Sequence, residues 1–231
     1  MLRPGEDAAA VAREAEAEVL GVAGGDGSLA PVAAVAIERD LPFVCVPFGT
    51  RNHFARDLGL DRRDPLAAIA SFAGEERRID VGWAGDRLFL NNVSFGAYAS
   101  LVHRRRAHRR RRQALARLRA LMRTVRHPYR LRLEVNGRVL RARVVLVANN
   151  AYELNLFELG ARETLTGGRL FLYSARGVLP TAWDEQVGTR FELRGTGVHR
   201  SAIDGEPVRL ESPLTCWIEP RRLRVLVPPR G

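Results

Sequence analysis

Val19-Leu20-Gly21-Val22-Ala23-Gly24-Gly25-Asp26-Gly27-Ser28 is a short apolar strand, Val19 to Ala23, running straight into a tight glycine loop, and Leu29 to Glu38 behind it reads as a helix. The arrangement then recurs. Pro42 to Pro47 is a second apolar strand, Phe48-Gly49-Thr50-Arg51-Asn52 a second loop, and Phe54 to Leu58 a second helical start. Strands alternating with helices argue for a parallel α/β layer. Parallel neighbours would bring both loops to the same carboxyl edge, where ligands of such sheets bind. Glycines let the chain turn sharply and bring N–H groups close to an anion, and a following helix aims its positive end at the same point. Asp26 is odd beside a phosphate unless a metal ion or a substrate hydroxyl comes with it. One Gly-Gly-Asp-Gly is as well explained by an ordinary turn; two phosphate-suited loops on one edge are not.

Outward from these loops, Glu6 to Glu18 has the alanine and glutamate content of a helix. Asp64-Pro65 opens another, with aspartate as N-cap and proline at the first helical position. The texture changes near Arg78. Ile79–Val81, Arg87–Asn91, Tyr129–Val135, Val139–Ala148, Gly168–Ser174, Thr189–Arg194, Val208–Leu210 and Leu214–Ile218 look like strands, and Asn136-Gly137 is a strong hairpin signal. The expected fold is an α/β domain with a parallel sheet over 1–78, followed by a β-rich sandwich over 79–220, with the tail 221–231 free to pack back on the first part. One helix, Ser100 to Val125, interrupts the strands: Leu115, Leu118, Leu121, Met122 and Val125 recur at helical spacing.

The chain of 231 residues is 46% hydrophobic and 27% charged, in the range of a folded globular protein. No run approaches the roughly 20 apolar residues that span a bilayer. Met1 to Ala17 is charged and helix-forming, unlike a signal peptide, so a cytoplasmic location is expected. Cys45 and Cys216 lie in apolar strand-like runs and read as buried thiols. The net charge is +11 and every basic residue is arginine, which favours anionic partners: nucleic acid, nucleotides or an acidic membrane surface.

Gly24-Gly25-Asp26-Gly27-Ser28 followed by Pro47-Phe48-Gly49-Thr50-Arg51-Asn52-His53-Phe54-Ala55-Arg56-Asp57-Leu58-Gly59 resembles the paired signature of the diacylglycerol-kinase catalytic-domain family, which includes sphingosine and ceramide kinases and bacterial lipid kinases. The likeness continues through Arg78-Ile79-Asp80-Val81-Gly82, Phe89 to Gly96 and Ile203-Asp204-Gly205-Glu206. It implies an α/β nucleotide domain beside a β-rich domain, with ATP and Mg2+ in the cleft and a lipid hydroxyl, of diacylglycerol or a relative, as acceptor. On that basis Gly24, Gly25, Gly27, Ser28, Gly49, Thr50 and Asn52 would cradle the nucleotide. Asp26 would sit close to the phosphates and the metal. Asp204 would be the general base, and Glu206 would help to bind nucleotide or metal. Phosphoryl transfer needs positioning, charge neutralisation and one group to take the hydroxyl proton. Taken alone, Asp204-Gly205 also reads as a plain hairpin turn.

The pattern departs from the family in three places. The strand and Asn-Pro loop with which members usually begin are not supplied before Glu6, so the chain reads as N-terminally truncated. A missing strand would leave a sheet edge that invites pairing of two copies. His53 stands where aspartate is usual. Leu165-Thr166-Gly167-Gly168 stands where bacterial lipid kinases often carry Asp-Asp-Gly and hold a structural magnesium, which leaves a hard cation few oxygen ligands. His103 to Arg112 holds seven arginines in ten residues. The segment 103–126 could lie on an anionic membrane, or it could be a solvated face; nucleic acid is disfavoured because no recognition module accompanies the charge. A lipid kinase is thus the leading expectation. A catalytically degenerate kinase fold that binds anionic membranes or a partner comes second, and an NAD kinase, which shares the first loop, ranks lower.

Overall fold

The computed structural model describes residues 6–49, 52–96, 131–154, 159–176, 183–196 and 199–229. The helix expected over Ser100–Val125 and the arginine-rich segment 103–126 lie outside them.

Asp7 caps α1 (Ala8–Glu14), its side chain accepting from the Ala9 N–H at 2.9 Å. β1 (Leu20–Gly24) and β2 (Phe43–Pro47) are parallel, with Leu20 opposite Phe43 and Gly24 opposite Pro47. Between them α2 (Asp26–Glu38) buries Leu29, Val32, Ala33, Val35 and Ala36. It begins at Asp26 rather than Leu29, because a first turn whose N–H groups have no intrahelical partner tolerates poor helix formers such as Gly27 and Ser28. α3 (His53–Asp57) follows the second loop. After Asp64-Pro65 the chain forms a 3₁₀ helix over Ala67–Ala73, and the Asp64 carboxylate accepts from the Ala67 N–H at 2.9 Å.

The strands that follow are β3 (Glu75–Ala84), β4 (Arg87–Phe89), β5 (Asn92–Gly96), β6 (Leu131–Val135), β7 (Arg138–Ala142), β8 (Val144–Asn149), β9 (Tyr152–Leu154) and β10 (Leu159–Arg162). Then come β11 (Leu170–Ala175), β12 (Asp184–Gly188), β13 (Arg190–Arg194), β14 (His199–Ile203), β15 (Glu206–Leu210) and β16 (Leu214–Val227). β16 is the spine of an eight-stranded mixed sheet. It pairs antiparallel with β3 along one side. On the other, its first half meets β13 and its second half meets β2, in parallel, with Val225 opposite Phe43. A register shift between Glu219 and Leu223, with Arg221 at φ 51°, separates the two halves. Among the described residues the parallel pairing is therefore confined to β1, β2 and the end of β16.

The second sheet is antiparallel, in the order β12-β11-β8-β5-β14-β15. One apolar core, with Leu29, Val35, Phe43, Phe54, Val81 and Leu223, lies under the helices. A second joins side chains from both sheets, among them Phe95, Val145 and Leu172 from one and Leu133, Phe191 and Cys216 from the other. The run Val139–Ala148 breaks at Arg143, so that β7 belongs to the first sheet and β8 to the second. Asn136 and Gly137 form the expected two-residue turn, at φ 48° and 81°, with Val135 opposite Arg138. Cys45 and Cys216 are free and buried. Among the described residues no helix is long and apolar enough to cross a membrane.

Candidate functional site

Because β1 and β2 are parallel and in register, both glycine loops leave the sheet at one edge, and they touch. The Phe48 N–H donates to Gly24 O at 3.1 Å. A β-carbon on Gly49 would lie 2.7 Å from Gly25 N, closer than any real contact of that kind, so the second loop settles on the first only as glycine. Asn52 closes the second loop on itself, its Oδ1 accepting from Gly49 N–H at 3.1 Å and its Nδ2 donating to Gly49 O at 3.0 Å. Thr50, assigned to the nucleotide from the sequence, lies outside the described residues together with Arg51.

Asp26 ties the loops together from below. It is the first residue of α2 and is buried. Its Oδ2 accepts from the His53 N–H at 3.1 Å and its Oδ1 from the Phe54 N–H at 3.0 Å. Asn52, the N-cap of α3, makes no side-chain cap, since its amide is used on Gly49. Asp26 supplies that cap from the other loop. Each oxygen expected beside a metal thus holds an amide of α3. Among the described residues no group of three or more His, Cys, Asp or Glu side chains is placed to hold a metal ion. The glycine edge fits an anion such as a triphosphate; the described carboxylates do not by themselves build a site for a hard cation.

The late acids come to this edge across the fold. Asp204 and Gly205, at φ 47° and 81°, form the two-residue turn between β14 and β15, with Ile203 opposite Glu206. The hairpin reading is therefore right, and the turn also aims its carboxylate inward. Asp204 Oδ1 accepts from the N–H groups of Asn91 at 2.8 Å and Asn92 at 2.9 Å, and Oδ2 from that of Leu90 at 2.8 Å. Its own N–H donates to Asn92 O at 2.9 Å. Burial pushes its carboxyl up to about 7, helped by the negative charge of Asp26 and opposed by the three amides. Such a group carries a proton or releases it near neutrality, as a base for a hydroxyl must. Glu206 lies directly on Gly27: a β-carbon there would stand 2.7 Å from Glu206 Oε1.

Two clusters of buried charge beside the site, one of Arg162 with Asp57 and one around Asp80, are given no role by the sequence alone. Arg162 and Asp57 pair at 2.7 Å with both side chains at 0% exposure. The Arg162 guanidinium also donates to Leu90 O at 2.7 Å, Asn149 O at 3.2 Å and Asn91 Oδ1 at 3.2 Å, and lies 5.5 Å from the centre of the Tyr152 ring. In a chain whose basic residues are all arginine, nothing local marks this one as buried. Asp80 centres the second: it accepts from the N–H groups of Gly168 at 2.7 Å and Arg221 at 2.8 Å and from Asn150 Nδ2 at 3.1 Å. It pins the Leu165–Gly168 loop, which lacks the carboxylates of a metal site.

Residues 2–84 match the family model described as the diacylglycerol kinase catalytic domain. That stretch belongs to the diacylglycerol kinase catalytic domain family. The diacylglycerol kinase of Bacillus subtilis (strain 168) is 34% identical over 103 residues, 42% of this chain and 34% of that one. The diacylglycerol kinase of Mycobacterium tuberculosis (strain CDC 1551 / Oshkosh) is 30% identical over 178 residues, 73% of this chain and 53% of that one. The chain thus spans about a third to a half of the length of these curated relatives. In fold, it superposes on a diacylglycerol kinase from Bacillus anthracis str. Sterne with a TM-score of 0.70 at 15% identity, covering 98% of this chain and 83% of that one. Every site residue named from the first two loops falls within the diacylglycerol kinase match, whereas Asp204, Glu206 and Arg162 lie beyond it.

Proposed function

We propose that the protein is an ATP-dependent lipid kinase that transfers the γ-phosphate to the hydroxyl of diacylglycerol or a related lipid. The observation that carries this reading is the meeting of Asp204 and Glu206 with the glycine loops: Glu206 rests on Gly27, and Asp204 senses the charge of Asp26. In this reading the core under the helices belongs to a nucleotide lobe and the core between the sheets to a lipid lobe, with the cleft between them. Backbone N–H groups of Gly25, Asp26 and Gly27 orient the phosphates, while those of Ser28 and Gly49 hold the loops in shape through Gly25 O and Asn52 Oδ1. Asp204, fixed by three amides, takes the proton of the lipid hydroxyl as its oxygen attacks the γ-phosphorus and ADP departs. ATP would come as its magnesium complex, the metal supplying charge neutralisation on the phosphates. Glu206 stands at the phosphate side of the cleft.

The names of the relatives support a lipid kinase: beside the diacylglycerol kinases, a protein of Pseudomonas aeruginosa (strain UCBPP-PA14) called "Probable lipid kinase YegS-like" is 41% identical over 81 residues, 34% of this chain and 26% of that one. The competing reading, a degenerate kinase fold that binds anionic membranes or a partner, draws on the two amides that Asp26 holds. One experiment separates them. The protein is incubated with Mg-ATP and diacylglycerol in mixed micelles, next to Asp204→Asn. Phosphorylated lipid from the wild type alone supports the kinase; none from either, with vesicle binding intact, supports the degenerate fold.

A further inference from the structure

We propose that Arg162 is a positioning residue for Asp204, acting through the single peptide unit that joins Leu90 to Asn91. The inference rests on the reading of Asp204 as the base. The two ends of that peptide face opposite charges. Its carbonyl, Leu90 O, accepts from Arg162 Nη1 at 2.7 Å, and its N–H, on Asn91, donates to Asp204 Oδ1 at 2.8 Å. A cation on the oxygen draws density from the amide nitrogen and makes the N–H a stronger donor, and such chains of hydrogen bonds reinforce one another where water is excluded. The next peptide has the same arrangement without the charge: Asn91 O accepts from the Asn149 N–H at 2.9 Å, and the Asn92 N–H donates to Asp204 Oδ1 at 2.9 Å.

No hydrogen bond joins Arg162 to Asp204 directly; beyond the attraction of their charges, the contact runs through this peptide. Four of its five N–H donors are used: Nε on Asp57, Nη1 on Leu90 O and Asn149 O, Nη2 on Asn91 Oδ1. Three directions in one plane suit a guanidinium and not an ammonium. Asp57 is the last residue of α3, and Asp26 caps the first turn of the same helix. One short helix therefore connects the acid of the glycine loops to the cradle of the late acid, and Arg162 is the joint.

The test uses the whole protein with Arg162→Met, Arg162→Lys and the pair Arg162→Met/Asp57→Leu, which leaves no lone buried carboxylate if the single variant fails to fold. In the kinase assay Arg162→Met lowers kcat about tenfold or more. It leaves KM for Mg-ATP within about twofold of the wild type and moves the rise of kcat with pH to higher pH, because a weaker amide donor favours the protonated Asp204. Arg162→Lys recovers part of kcat, because an ammonium still donates to Leu90 O. Independently of turnover, the backbone amide proton of Asn91, followed by NMR without substrate, moves upfield in Arg162→Met and in the pair variant, and back towards the wild type in Arg162→Lys. An Asn91 amide that stays in place in a folded variant overturns the proposal, as does a pH profile of kcat that does not move in Arg162→Met. A wild type that transfers no phosphate defeats the kinase reading, and the Asn91 amide then decides the role of Arg162 by itself.

Discussion

Gly27, in the first turn of α2, carries the side chain of Glu206 directly on its backbone, so that a β-carbon at position 27 would stand 2.7 Å from both Glu206 Cδ and Oε1. The early phosphate loop and the late hairpin are in van der Waals contact here, and glycine is what permits the approach.

Gly27→Ala is expected to push the flexible, exposed Glu206 side chain aside, at a net cost in stability of no more than about 1 kcal/mol once the gain in helix propensity is counted, and to weaken Mg-ATP binding by moving that carboxylate. Glu206→Ala in the same chain removes the obstructing side chain and recovers most of the stability. Urea denaturation of the wild type, both single variants and the double variant measures the coupling; fully additive effects would mean that the two residues do not meet.

Asp204 should impose a pH dependence of definite sign. Its folded-state value, about 7, lies above the ordinary 3.8, because burial penalises the charged form. Between those values the folded protein holds a proton that the unfolded chain has released. This contribution is complete below the ordinary carboxyl range and is lost as pH rises through about 7. Stability therefore falls across that window, and Asp204→Asn flattens the curve. Turnover runs the other way: a base must be ionised, so kcat rises through neutrality and levels off above it. Chemical denaturation and initial rates from pH 4 to 9 on the two proteins check both statements, and an unchanged slope in Asp204→Asn would remove Asp204 as their source.

Asp26→Ala leaves the N–H groups of His53 and Phe54 without their acceptor and frees α3 from the first loop. The loss of such a cap costs about 0.5–2 kcal/mol, or roughly 1–8 °C in melting temperature for a domain of this size. Asp26→Asn keeps one acceptor oxygen and should fall between. Thermal melts rank the three proteins; nucleotide affinity should drop in the same order, because the cap also holds the second loop in place.

The membrane reading concerns the arginine run, whose structure lies outside the described residues. Replacing Arg109 to Arg112 by glutamine should weaken sedimentation with phosphatidylglycerol vesicles by an order of magnitude or more at low salt, since each basic side chain near an anionic surface contributes about 1 kcal/mol. Mg-ATP affinity should be unaffected. Vesicle binding that ignores the substitution would place the membrane contact elsewhere.

Much of the site could be read along the chain because its chemistry is local. A glycine loop after an apolar strand announces a turn wherever it occurs, and two strand–loop–helix units in succession announce a shared edge. Asn136-Gly137 declares its turn through the positive φ it requires. Strands escaped notice where their residues are polar or charged, as in β12 (Asp184–Gly188) and β14 (His199–Ile203), because an edge or a cross-strand neighbour, rather than an apolar pattern, makes them strands. The run Val139–Ala148 looked single for a related reason: period-2 alternation is the same whichever sheet a strand joins, and only the break at Arg143 parts β7 from β8.

By itself, then, the sequence determined the two phosphate-suited loops, the family likeness, the tight turn at Asp204-Gly205 and the unusual basic charge, all of which depend on residue type and short spacing. Tertiary structure alone decided what the charged groups do. Asp26 spans to α3, Asp80 to Gly168 and Arg221, Asp204 to Leu90, Asn91 and Asn92, and Arg162 to Asp57. Each of these partners lies far along the chain, and the amides that hold the acids belong to residues whose side chains carry no trace of that task. A backbone N–H is the same donor in every residue but proline, so only the fold selects which of them faces a carboxylate.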